Sequence, residues 1–177
     1  MRRPLLAVAI LPFLLAVSRG GAEADDLARD RKLIQGTWSV AAYDMDGRPL
    51  PPDIVKKMSV VIKADRLVIA PRVVARRSTT PAEGKQAEVK FLVEEDQADE
   101  AAYRLDRTKK GNVIELTQDA GRGAVRKMTG LYALDGDALT VCIPLPDHKL
   151  PKKMPEAPKA GVVRLVLKRA ADGTPGR

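Results

Sequence analysis

From residue 37 onward apolar and polar side chains alternate with a period of two, and ahead of that point the spacing is helical. Met58, Val60 and Ile62 alternate with Ser59, Val61 and Lys63, and Ala87, Val89, Phe91 and Val93 alternate with Glu88, Lys90, Leu92 and Glu94. One apolar face per strand predicts antiparallel pairing around a shared core. Further strands are predicted over 67–74, 103–106, 113–117, 125–134, 139–143 and 162–169, separated by turns such as Lys110-Gly111-Asn112 and Asp135-Gly136-Asp137. In the first strand Trp38, Val40 and Ala42 fall on one face, and Asp46-Gly47 supplies a turn after it. The prolines at 49, 51 and 52 argue against ladder pairing there, and 54–57 reads as a single helical turn. Helical periodicity is nearly absent after Lys57, which disfavours βαβ units. Many short strands in one domain predict an all-β sandwich or barrel.

Residues 25–35 (DDLARDRKLIQ) begin acidic and end basic, with Leu27, Leu33 and Ile34 at loose helical spacing, so they read as a short helix leading into the sheet. Residues 33–40 then carry the only tryptophan, Trp38, two positions after Gly36. A glycine there lets the chain pass close to a neighbour, and the indole can plug the floor of a closing sheet.

Residues 1–24 read as a secretory signal peptide: Arg2 and Arg3 begin it, residues 5–17 form an apolar run, and Ala22-Glu23-Ala24 is a small-x-small cleavage site. The apolar run contains Pro12 and is shorter than the roughly 20 residues needed to cross a bilayer. No cysteine stands at the cleavage site to accept a lipid, and Pro4 directly after the paired arginines breaks a twin-arginine pattern. The expectation is an exported monomer, periplasmic or extracellular, cleaved near Ala24 and without a membrane span. The expected order is signal peptide 1–24, helical lead-in 25–32, barrel domain 33–170 and disordered tail 171–177.

Of 177 residues, 31 are Lys or Arg and 23 Asp or Glu, a net charge of +8, and removing residues 1–24 with their net +2 leaves +6. That suits anionic partners without requiring one. Two Phe, three Tyr and one Trp give little material for stacking on exposed bases, so nucleic acid is not an expected partner. Cys142 is the single cysteine, which excludes an internal disulfide, and its strand setting predicts a small packed side chain rather than a nucleophile.

Four blocks in order resemble an uncharacterised lipocalin-like domain of exported planctomycete-type bacterial proteins: residues 33–38 (LIQGTW), 46–51 (DGRPLP), 130–142 (GLYALDGDALTVC) and 163–169 (VRLVLKR). Gly36-Thr37-Trp38 also resembles the Gly-x-Trp motif of lipocalins and fatty-acid-binding proteins, in which a basic residue of the last strand packs over the tryptophan. Arg164, Lys168 and Arg169 are the candidates for that role. The resemblance implies an antiparallel up-and-down β-barrel and an exported location. It brings no biochemical role, because none is established for the family. The long excursion over 72–88 departs from the family's usual form.

Catalytic constellations are poor. His148 is the only histidine and has neither nucleophile nor metal partner in its segment, so it makes no triad or zinc site. Glu94, Glu95, Asp96, Asp99 and Glu100 lack the order of a calcium loop and read as a solvated turn. Gly121-Arg122-Gly123 reads as a hairpin tip, not a phosphate loop. The expectation is no enzyme, no cofactor and no metal. The segment 144–159 carries five prolines and four lysines, a semi-rigid cationic loop far longer than a hairpin requires.

Two functions follow from these features. A carrier would hold a small apolar ligand in a pocket lined by Val89, Phe91, Tyr103 and Met128. An envelope interaction module would instead bind an anionic polymer or protein partner through Lys149, Lys152 and Lys153. They differ in whether the barrel is hollow.

Overall fold

Helix α1 (Gly20–Leu33) precedes the strands in the computed structural model, which describes residues 20–77, 89–108, 111–119, 121 and 123–170. The lead-in expected at 25–32 is the later part of this helix, which runs through the junction of residues 24 and 25. Arg31 and Lys32 in its last turn face the negative end of the helix dipole. The expectations for residues 1–19 and for the tail 171–177 lie outside the described residues.

The chain then forms β1 (Gly36–Met45), β2 (Arg48–Pro49), α2 (Pro52–Val55), β3 (Ser59–Lys63), β4 (Arg66–Ala70), β5 (Arg72–Arg77), β6 (Val89–Glu94), β7 (Asp99–Thr108), β8 (Gly111–Asp119), β9 (Val125–Asp135), β10 (Ala138–Pro144) and β11 (Val162–Arg169). Strands β1, β3, β4, β7, β8, β9, β10 and β11 pair antiparallel in that order, and β11 pairs back onto β1. This is the closed eight-stranded antiparallel up-and-down barrel that the resemblance implies, and one of the two architectures, sandwich or barrel, that the alternation allows.

Alternation accounts for the wall. Met58, Val60 and Ile62 of the β3 segment are buried, whereas Val61 is 40% exposed and Lys63 is exposed. The inward row continues through Leu67, Ala101, Leu105, Ile114 and Leu116 to Tyr132, Val141, Leu165 and Leu167, all members of one buried cluster.

Three expectations change. Trp38, Val40 and Ala42 do not share a face, because a β-bulge between Val40 and Ala42 inserts a residue opposite β11 and shifts the phase. Tyr43, paired with buried Leu165, therefore takes the inward position, and Ala42 does not. The strand expected over 67–74 is two strands: Pro71 has no N–H to donate, the barrel ladder stops at Ala70, and β5 leaves to pair with β6 as a separate two-stranded arm. Val89 and Phe91 consequently belong to this arm and not to the barrel wall. Finally, Arg48 and Pro49 do make a two-residue ladder with Met45 and Asp44, and the helical turn begins at Pro52, earlier than expected, with proline at its N-terminus.

Candidate functional site

The two ends of the barrel differ, and the first strand explains the closed one. Trp38 is fully buried, and its indole N–H donates to the carbonyl of Ile34 at 2.9 Å. Arg169 stands opposite Trp38 in the β1–β11 register, with its guanidinium 4.4 Å from the ring centroid. The same guanidinium donates to the carbonyls of Gln35 (3.0 Å) and Leu33 (2.5 Å) and to Asp137 (3.0 Å), so it ties the end of α1 and the β9–β10 turn to the barrel floor. Gly36 has φ +119, and a Cβ there would meet Arg169 Nη1 at 3.3 Å, so the glycine serves both the turn and the close approach of this cation.

Arg169 thus takes the place over the tryptophan, and Arg164 and Lys168 do not. Arg164 faces the outside of the barrel, where it donates to buried Asp44 at 2.9 Å and to the Glu156 carbonyl at 3.0 Å. Lys168 is exposed, and its carbonyl accepts from Ser39. Tyr103 also belongs to the closed end. Its hydroxyl donates to the Ala64 carbonyl at 2.8 Å and accepts from Gln35 at 2.7 Å, which seals the β3–β4 turn rather than lining a pocket.

A groove of about 720 Å³ lies outside this end, between α1 and the β9–β10 turn. Its charges are largely paired among themselves: Arg107 with Asp26 at 2.7 Å, Arg169 with Asp137 at 3.0 Å, and Asp30 with the Tyr132 hydroxyl at 2.7 Å. Burial, then the Asp30 contact, raises the Tyr132 hydroxyl above its ordinary value. This network docks the helix, with Leu27 packed against the core, while Arg29, Lys32 and Asp135 line the same groove.

The other half is different. By register, the inward positions there are Tyr43, Met45, Ile69, Met128 and Ile143, with Asp99 and Gln118 between them. All are only partly buried, whereas most inward residues toward the Trp38 end, Ile62, Leu67, Leu105, Tyr132, Leu139 and Leu167 among them, are buried, with Tyr103 and Leu134 partly so. On the β3 side of β1 the ladder to β3 ends at Ser39 and the short ladder to β2 begins only at Asp44, so residues 40–43 have no strand partner there and α2 lies against β1. A cavity of about 290 Å³ opens at this seam against Val40, Tyr43, Leu50 and Val55. The β5–β6 arm packs Val73 and Phe91 against the core, and Arg72 Nε lies 3.3 Å from Asp99 Oδ1.

Of the four pocket candidates, then, Met128 is in the open half, Phe91 reaches the core from the arm, and Tyr103 is at the opposite end. The side chain of Val89 lies outside the described residues. Sequence reasoning passed over Tyr43, Ile69, Asp99, Gln118 and Ile143. For Asp99 a signal existed: it alternates with Ala101 and Tyr103, the pattern of a strand face rather than a solvated turn.

The 144–161 loop folds over the outside of the wall. It is anchored where Arg164 meets the Glu156 carbonyl, where Gly161 N–H donates to Asp46 at 2.8 Å, and where Leu145 N–H donates to the Gly161 carbonyl at 2.9 Å. Outward-facing Leu131 and Cys142 are buried, as is Pro151 of the loop. Burial pushes the Cys142 thiol up, against the opposing fields of Arg164 and Lys159, which disfavours a thiolate. His148 is exposed, with its ring against Gly161, and Lys149, Lys152 and Lys153 are exposed without an ion pair among the described residues. No group of His, Cys, Asp and Glu suited to a metal occurs among the described residues, and no helix there is long and apolar enough to cross a membrane. In comparisons with known proteins, no family model matches the chain and no curated protein matches it.

Proposed function

We propose that this chain is an exported, non-enzymatic lipocalin-like binding protein that takes a small ligand with an apolar body into the open half of its barrel. The observation that carries this is the burial gradient along the barrel. Most inward residues toward the Trp38 end are buried, whereas Tyr43, Met45, Ile69, Met128 and Ile143 point inward and are all only partly buried. Apolar inward faces left unfilled on one side of a closed barrel are what a small ligand covers. The Gly36, Trp38 and Arg169 arrangement supports the lipocalin-like assignment, and the pattern of residues 1–24 supports export. Titration with N-phenyl-1-naphthylamine tests it: saturable fluorescence enhancement at micromolar protein is expected, lost in Met128→Trp, whose ring fills the open half. Absence of enhancement in the folded parent overturns the proposal.

A second function has its own support in the exposed lysines at 149, 152 and 153, which project from an anchored, proline-stiffened loop. As an envelope module the chain would bind an anionic polymer with an affinity that falls steeply with salt and drops when the three lysines are neutralised together.

A further inference from the structure

We propose that the open half selects ligands whose polar end donates hydrogen bonds, an alcohol or an ammonium, over ligands that end in a carboxylate. This rests on the ligand-binding function proposed above and adds the chemistry of the ligand's head.

Two polar groups, the Tyr43 hydroxyl and the Asp99 carboxylate, face the apolar walls by register, and Glu94 of the arm is tied to them through Arg72. The Tyr43 hydroxyl points inward with no hydrogen-bond partner among the described residues. Asp99, inward at the start of β7, accepts from Gln118 Nε2 at 3.4 Å and faces Arg72 Nε at 3.3 Å. Both contacts fall on Oδ1, so Oδ2 has no partner among the described residues. Beside them Glu94 Oε2 is buried without a hydrogen bond, at 3.8 Å from Arg72 Nη1. Two carboxylates share one guanidinium, which leaves this side of the mouth net negative with acceptor capacity unused. Burial, then the charge of Asp99, raises the Tyr43 hydroxyl to about 12, so at neutral pH it is a protonated phenol.

An alcohol meets both inward groups: it donates to Asp99 Oδ2 and accepts from the Tyr43 O–H. An ammonium donates to both oxygens and adds charge complementarity. A carboxylate can accept from Tyr43 alone and stands against the like charges of Asp99 and Glu94, which share the single guanidinium of Arg72. Arg126, next in the inward row of β9, is exposed at the rim, where solvent and salt screen it.

Competition against N-phenyl-1-naphthylamine at pH 7 with octanol, octylamine and octanoate, matched in chain length, tests this on the intact protein. Octanol and octylamine are expected to displace the probe at concentrations on the order of tenfold or more below octanoate. Asp99→Asn should shrink the advantage of octylamine, and Tyr43→Phe should weaken octanol. Octanoate competing as well as the other two, or preferences that neither variant moves while probe binding persists, overturns the head-group selection alone. Failure of the probe to bind overturns the ligand-binding function and this selection together.

Discussion

Truncating Trp38 to alanine removes the largest fully buried side chain of the protein, and each of its contacts can be priced in free energy. A buried Trp→Ala change costs about 3–5 kcal/mol through lost burial and the cavity left behind. The Arg169 guanidinium at 4.4 Å loses its ring face, worth about 0.5–2 kcal/mol. The Ile34 carbonyl loses its donor, worth about 1 kcal/mol. These overlap, because truncation values already contain part of the lost contacts, so the expected cost is about 4–5 kcal/mol, a large part of a total stability of about 5–15 kcal/mol. For a chain of this length that lowers Tm by about 8–20 °C. Thermal unfolding followed by far-ultraviolet circular dichroism measures it. Trp38→Phe should fall between parent and alanine variant, since it keeps one aromatic ring and loses the fused second ring with its N–H. The Trp38→Ala and Arg169→Met effects should also be non-additive, because the two side chains share one contact. A Trp38→Ala variant that melts within about 2 °C of the parent, or strict additivity with Arg169→Met, would refute the closure of the barrel by this pair.

Two further outcomes follow from the structure. Asp44→Ala leaves the partly buried Arg164 without its carboxylate and should cost about 3 kcal/mol, the lower end for a buried pair, while Asp44→Leu combined with Arg164→Met should recover most of it; urea midpoints for the three proteins check this, and an unperturbed single variant would contradict it. Tyr43 holds its proton to about 12 in the fold against 10.0 when free, so the unfolded chain releases a proton first and stability should fall as pH rises from 10 through 12. Tyr43→Phe should make that alkaline loss shallower in a series of melting temperatures, and equal slopes for parent and variant would contradict the assignment.

The strands and their inward faces were largely legible in alternation, which left sandwich and barrel both open until the resemblance pointed to a barrel. Met58, Val60 and Ile62 against Ser59, Val61 and Lys63 set the β3 face, and Gly36 with Trp38 marks the closed end because few other residues suit a tight approach beside a buried ring. The choice of Arg169 over Arg164 was legible too: Arg169 shares its parity with buried Leu165 and Leu167, and Arg164 does not. Two irregularities hid the rest. The bulge at Ala41 reverses the phase of β1, so pattern counting places Ala42 where Tyr43 stands. The arm reads as wall because its alternation is as regular as that of a barrel strand, and a missing N–H at Pro71 ends a ladder without changing the apolar pattern. The open half was least legible of all, because alternation states which side faces in and not how far apart the walls stand.

Methyl-resolved nuclear magnetic resonance of the intact protein, titrated with octanol, addresses the division of the barrel most directly. Saturable shifts are expected at Met45, Ile69, Met128 and Ile143, with Ile62, Leu139 and Leu167 unmoved because they are already packed. Shifts spread evenly over both sets, or confined to the packed set, would contradict a ligand site in the open half.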